Sequence, residues 1–395
     1  MWMSHRAWSL PVVLSYGAFI LVGVSAGVGG VLLPAQIRDY DVDMVTIGLT
    51  FFTFSAGFFL AGASVGALLA RLGTRSALLV GGAGYLVATL ITATRPSFVV
   101  LVVVQLLVGY GMGVLESVLN VYLASLPSAT VLLNRLHAFF GVGALLGPLL
   151  AARMLRSWPW TSVFLVLAAL TAVLLVGFAV VLPPNHEPAA RPAVRRSPRD
   201  GLLAQVLRSP AVMLAAGFLA VYVGLEVSVG NWAYTYLVEG QGRAALAAGY
   251  AVSAYWLGLT VGRFVISPLA VRLGLTPQRM MLGCLLGVVG ATALTWAVPG
   301  SLAGAGFALV GFFLGPLFPT AMALMPDLAP APLVPTAIGV LNAVSVVGGA
   351  GLPWLAGAIA QGVGIWTLLP FVVVLGVLQL VLWQAAVAQP SATAR

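Results

Sequence analysis

Gly109-Tyr-Gly-Met-Gly-Val-Leu-Glu116-Ser-Val-Leu-Asn120 lies within an otherwise apolar run from about 98 to 125. Wound as a helix, a run of that length reaches across the hydrocarbon core of a bilayer. Glu116 stands inside it, one of only 9 acidic residues in 395. Placing a carboxylate in hydrocarbon costs at least a few kcal/mol, so an acid at this depth points to proton handling or a polar-solute site. The plainer alternative is a packing acid, hydrogen-bonded to neighbouring backbone or to Asn120.

Working outward, the whole chain shares this character. It is 61% hydrophobic and 7% charged, with a mean hydropathy of +1.09. A soluble domain could not hide so much apolar surface. Between charged or Pro-rich breaks, twelve runs can be marked: 10–33, 45–70, 77–94, 98–125, 134–156, 160–182, 210–238, 245–272, 279–298, 301–325, 333–360 and 365–388. They lack the alternation of barrel strands. The class is an all-α membrane protein with twelve transmembrane helices. The first run is long enough to span and is expected to stay as the first helix rather than be cleaved as a signal.

The net charge of +9 comes from Arg, since the chain has no Lys. The Arg residues sit in the short connections, a positive-inside pattern rather than a nucleic-acid face. Arg6, Arg71, Arg75, Arg135, Arg272 and Arg279 are read as cytoplasmic. Arg38, Arg95, Arg153, Arg156 and Arg243 fall outside with Asp39, Asp41, Asp43 and Glu239. Both termini are then cytoplasmic, in a prokaryotic inner membrane. The single cysteine, Cys284, leaves no intrachain disulfide and reads as a small buried apolar residue.

The longest hydrophilic stretch, 183–209, opens on Pro183-Pro184 and carries Arg191, Arg195, Arg196, Arg199 and Arg208. It divides an N-terminal half, 1–182, from a C-terminal half, 210–395. The halves echo each other. Gly57…Arg71-Leu-Gly73 overlays Gly258…Arg272-Leu-Gly274, and Gly109-x-x-x-Gly113 overlays Gly311-x-x-x-Gly315, at an offset of about 200 residues. Gly147-Pro148 has a looser echo in Leu352-Pro353. Two parallel six-helix halves with a solute site between them is a transporter architecture.

Three segments carry a family resemblance. They are Leu115-Glu116-Ser-Val-Leu-Asn120 with Leu133-Asn134-Arg-Leu-His137-Ala-Phe-Phe-Gly141-Val-Gly143, then Gly224-Leu-Glu226-Val-Ser-Val-Gly-Asn231-Trp232, then Trp256-Leu-Gly258-Leu-Thr-Val-Gly262-Arg263. With Arg71-Leu-Gly73-Thr-Arg75 as a cytoplasmic loop motif, the chain resembles a major facilitator superfamily transporter, and within it the fucose–proton symporter family. That resemblance implies the major facilitator fold, with two pseudo-symmetric halves. The sequence departs from the family in two places. Ala70 stands where the loop motif usually has Asp. Gly30-Val31 precedes Leu32-Leu33-Pro34 where an acid is usual, so Glu116 is the one match to two expected proton-linked acids.

A proton-coupling group needs a pKa within reach of pH 7, which burial and a neighbouring cation tune in opposite directions. Glu116, Glu226 and His137 are the candidates. Glu226 and Arg263, on adjacent spans, naturally pair, either as a fixed strut or as a pair that exchanges partners or holds substrate. The alternative for His137 is an interfacial hydrogen bonder. Asn120, Asn134, Asn231 and Asn342 suit a neutral hydroxylated solute, though amides also join helices. Trp232, Trp256, Tyr222 and Tyr110 could offer flat faces to a sugar ring, against the alternative of lipid-facing aromatics.

No ATP-binding loop and no metal-ligand spacing appears, so no cofactor or metal is expected. The glycine clusters follow no strand and read as close helix contacts. The expected protein is not an enzyme but a monomeric secondary active transporter, moving a small neutral polar solute, a sugar foremost, by proton symport with alternating access. Its partners are that solute, protons and the lipid bilayer, with no nucleic acid. The rival is a proton-driven exporter of amphipathic compounds. A membrane sensor or enzyme would call for a catalytic cluster or an appended soluble domain, and neither is visible.

Overall fold

The computed structural model describes residues 9–183, 201–297 and 302–389. Among the described residues every regular element is helical, and eleven helical segments are long and apolar enough to cross a membrane. One of these counts twice. Leu49–Ala93 has 45 residues, or about 68 Å of helix, more than twice the thickness of a hydrocarbon core. It breaks at Gly73, where φ is 73° and ψ 172°. Positive φ strains any residue with a Cβ, so glycine makes the turn. Gly274, its counterpart in the repeat, also has positive φ, at 66°.

The spans are α1 (Leu10–Tyr40), α2 (49–72), α3 (74–93), α4 (Phe98–Ala124), α5 (Ala129–Met154) and α6 (Thr161–Val181). They continue as α7 (Pro210–Thr235), α8 (Ala245–Arg272), α9 (Pro277–Ala297), α10 (Ala303–Leu314, resuming as Leu317–Ala323), α11 (Val334–Val363) and α12 (Leu368–Val387). Contacts gather in two compact units, Met1–Val194 and Arg195–Arg395. Each therefore holds six spans.

Inside a bilayer, lipid tails are as apolar as Leu, so helices associate through close packing rather than exclusion from water. The repeated glycines supply that packing. In the first unit α1 lies on α5 and α2 on α4; in the second α7 lies on α11 and α8 on α10. A Cβ added to Gly143 would stand 2.1 Å from Ile20 O, and one added to Gly348 would stand 2.0 Å from Ala220 O. Gly57 and Gly258, paired by the internal repeat, would each come within 2.0 Å of a facing carbonyl, Leu106 O and Ala308 O. The echo between halves is thus a repeated set of backbone contacts.

Several boundaries differ from the hydropathy reading. α1 runs on to Tyr40, past Pro34, and ends with Asp41 in the left-handed region. α5 starts at Ala129, five residues before 134, because helix geometry continues through the polar Thr130 and Asn134 where hydropathy falls. This corrects the placing of Arg135 in a connection: it lies in the second turn of α5 and is half-buried. The run 301–325 is not one helix, since α10 breaks at Gly315-Pro316. Within the expected linker, Leu202–Leu207 forms a short helix that buries Val206. Arg6, Arg191, Arg195, Arg196 and Arg199 lie outside the described residues.

At one end of the first unit, Arg95 Nε donates to Asp39 Oδ2 (2.6 Å) and Trp160 Nε1 donates to the same oxygen (2.8 Å). The Tyr40 ring packs against Phe98 and Trp160. One carboxylate thereby ties the ends of α1, α3 and α6, and it holds the Arg95 guanidinium above its usual pKa through that hydrogen bond and the charge behind it.

Candidate functional site

In the second unit, a cluster forms around Glu226 of α7 and Arg263 of α8. Arg263 Nη2 lies 3.8 Å from Glu226 Oε1, an ion pair too long for a direct hydrogen bond. Tyr222 is one turn before Glu226, on the same helix face, and is within electrostatic reach of both charges. Tyr255 of α8 donates its hydroxyl to the Glu226 backbone carbonyl at 3.1 Å. Tyr222 and Tyr255 are both fully buried, whereas Glu226 and Arg263 keep 16% and 28% of their side-chain surface open. Part of each charged side chain is therefore accessible, whereas the two tyrosines are not.

Arg263 has a second tether whose origin is in the sequence. Its Nε donates to Gly315 O at 3.3 Å. In a continuous helix that carbonyl would accept from residue 319, but residue 319 is proline and has no N–H. Pro319 thus leaves a carbonyl open inside a span, and membrane-depth backbone needs a partner. The break in α10 and the guanidinium satisfy each other.

Trp232 is fully buried, and its Nε1 donates to Pro353 O at 2.8 Å, joining α7 to α11. Trp256 is 6% exposed; its ring lies against Gly230 and its indole nitrogen has no hydrogen-bond partner among the described residues. Asn231 is half-buried on α7, and Asn342 is exposed on α11. Cys284 is buried.

The first unit holds a separate group. Glu116 is half-buried on α4, and Asn120 donates its amide to the Glu116 carbonyl at 2.9 Å, back along its own helix. Tyr110 is half-buried and its hydroxyl shares a hydrogen bond with Ser64 (3.1 Å). On α5, Asn134 and His137 are exposed, with the His137 ring edge-on to Phe19 at 5.6 Å. Arg135 lies in electrostatic reach of the buried Tyr16, whose ring stacks on Phe139 at 4.7 Å. In the loop motif Arg71 is exposed and Arg75 half-buried, on either side of the Gly73 turn.

Sequence reasoning paired Glu226 with Arg263, named Tyr222 only as a flat face for a sugar ring, and did not single out Tyr255, Tyr16 or Arg135 as site residues. Tyr255 had a signal, standing eight residues before Arg263, two helical turns along the same face. Arg135 had a weaker one, four residues before Phe139.

The Major Facilitator Superfamily model matches residues 14–350 and, in a second alignment, 233–394. The chain belongs to the Major Facilitator Superfamily. As a member it is a multi-pass membrane transporter and not an enzyme. It is 28% identical over 396 residues to "Bypass of stop codon protein 6" of Saccharomyces cerevisiae, covering 90% of this chain and 78% of that one. It is 24% identical to the "Glucose/mannose transporter GlcP" of Bacillus subtilis, covering 79% of each.

Among solved structures, the nucleoside transporter NupG superposes with a TM-score of 0.78 at 13% identity, covering 96% of this chain and 99% of that one. The E. coli fucose:proton symporter FucP gives 0.64 at 16% identity, again covering 96% and 99%. At these identities the two share the fold.

Proposed function

We propose that this transporter moves a small neutral polar solute, a sugar, by proton symport across a prokaryotic cytoplasmic membrane. It works by alternating access, as a monomer with both termini cytoplasmic. The functional units are the halves 1–182 and 210–395, joined by the linker 183–209. The observation that carries this reading is the Glu226–Arg263 pair, held at 3.8 Å with part of each side chain open. A pair kept only for strength would close to hydrogen-bond distance and exclude water, since a buried pair is otherwise a weak source of stability. A spaced and partly open pair leaves room for a hydroxyl or a water between the charges.

In this scheme Glu116 accepts the driving proton, and His137, exposed in the third turn of α5, relays it. In the second unit Glu226 and Arg263 contact substrate hydroxyls with the half-buried Asn231 and the exposed Asn342, and Tyr222, Trp232 and Trp256 position them. In the first unit Asn134 offers an exposed amide, and Asn120 and Tyr110 position the groups around Glu116. Arg71, Gly73 and Arg75 form the turn at the cytoplasmic ends of α2 and α3. A neutral solute is favoured because the cluster already holds one charge of each sign. GlcP is named for glucose and mannose, and FucP for fucose with a proton, which agrees with a sugar substrate and proton coupling.

The test is uptake of radiolabelled glucose, mannose and fucose into proteoliposomes with an imposed pH gradient. Accumulation of one of them above the equilibrium level, abolished when the gradient is collapsed, is expected. If instead vesicles extrude an amphipathic dye on the same gradient and accumulate no sugar, the protein is an exporter and the reading is wrong.

A further inference from the structure

A cavity of about 320 Å³ lies in the second unit, away from the Glu226–Arg263 cluster, where α7 ends and α8 and α10 begin. Its walls are Leu237, Arg243, Tyr250, Gly304 and a row of alanines on α8 and α10. Three features give it a positive character. Arg243 lines it, and the Nε atom of that side chain is buried with no hydrogen-bond partner among the described residues. Ala247 and Ala248, in the first turn of α8, line it as well, and no side chain caps that turn. Ala303 and Gly304, in the first turn of α10, complete the wall. No Asp or Glu is among its lining residues; Glu239 lies outside them.

The chain positions Arg243 deliberately. α7 closes in a π turn over Tyr236–Gly240, and the Arg243 N–H donates to Leu237 O at 2.9 Å. That bond folds the connection back on the end of α7 and brings the guanidinium beside the start of α8. The uncapped start of α8 presents unpaired N–H groups and roughly half a positive charge, and beside a guanidinium it forms a setting for an oxyanion. Tyr250, which lines the cavity, is 58% exposed, and an exposed Tyr near the end of a span is typical of the headgroup level of a bilayer.

We propose that this cavity binds the phosphate of a phospholipid headgroup. Arg243 and the first turn of α8 hold the phosphate oxygens, and Ala303 and Gly304 of α10 close the wall. The alanine strip Ala247, Ala251 and Ala254, which has no bulk to exclude a chain, lies along the glycerol and upper acyl segments. The site is independent of the transported solute.

The experiment is thermal unfolding of the purified full chain in detergent, titrated in parallel with phosphatidylglycerol, with diacylglycerol and with inorganic phosphate. A ligand that binds only the folded form raises the unfolding temperature. Phosphatidylglycerol is expected to raise it, and the other two are not. Arg243→Gln should weaken the phosphatidylglycerol effect about tenfold, as expected for one charge-assisted bond. Arg243→Lys should restore part of it. Ala247→Phe, at an exposed position that fills the cavity from its rim, should abolish the effect while leaving the lipid-free unfolding temperature unchanged. Equal stabilisation by diacylglycerol would show that no phosphate is recognised. Full stabilisation by inorganic phosphate alone would show a soluble-anion site, and an unchanged response in both Arg243→Gln and Ala247→Phe would remove the site. Each of these results overturns the proposal.

Discussion

Removing both members of the Glu226–Arg263 pair should cost clearly less than the two single removals added together. At 3.8 Å, in surroundings of effective dielectric near ~20, the gross attraction between the charges is about 4 kcal/mol. Desolvation offsets much of it, so the pair adds little to net stability while each charge depends on the other. In Glu226→Gln the guanidinium keeps the Gly315 carbonyl as its tether but loses its counter-charge. In Arg263→Met the carboxylate stands above two buried phenols, with the Tyr255 hydroxyl already committed to the Glu226 backbone. Each single change should destabilise by roughly 3 kcal/mol, and the Glu226→Gln/Arg263→Met double by clearly less than their sum. Unfolding temperatures of the four proteins in one detergent would measure this. If the double substitution loses the sum of the singles, the two charges are not coupled and the cluster described above does not exist.

Further outcomes follow from other contacts. Pro319→Ala gives Gly315 O an N–H four residues on that can compete with Arg263, while Pro316 keeps the break in α10; uptake should fall although the protein stays folded, which circular dichroism and transport assays check together. Gly258→Ala should lower the unfolding temperature, because its Cβ would stand 2.0 Å from Ala308 O, whereas Gly283→Ala, with nothing within 4 Å, should leave it unchanged or raise it. The cost at Gly258 is of the order of 1–3 kcal/mol for overpacking, against at most about 1 kcal/mol gained in helix propensity. Trp232→Phe removes the bond to Pro353 O and should cost about 1–2 kcal/mol in the same unfolding assay.

The spans were legible because crossing hydrocarbon demands about twenty consecutive apolar residues, and that demand is written directly in the sequence. The turn at Gly73 was legible from the motif Arg71-Leu-Gly73 and its repeat at Arg272-Leu-Gly274. The break in α10 was not, because Gly315-Pro-Leu-Phe-Pro319 is as apolar as the helix on either side and hydropathy cannot tell a bend from a run. The pairing of Arg263 with Glu226 followed from two opposite charges on neighbouring spans, where neither could stand alone. The tether to Gly315 needed the i, i+4 arithmetic of Pro319 together with the packing of α8 on α10. Tyr16 with Arg135, and Tyr255 with the Glu226 backbone, depend on the rotation of one helix against another, which side-chain periodicity leaves open. The indole of Trp232 illustrates the same limit: an aromatic at membrane depth reads equally as a sugar platform, a lipid anchor or a strut, and the destination of its N–H is tertiary.

The central claim is that Glu116, half-buried on α4, takes up the proton that drives accumulation. Sugar uptake by wild-type and Glu116→Gln proteoliposomes, with and without an inward proton gradient, tests it most directly. The variant should lose accumulation against a concentration gradient and keep exchange of labelled for unlabelled sugar at equilibrium. Undiminished accumulation by Glu116→Gln would contradict the account.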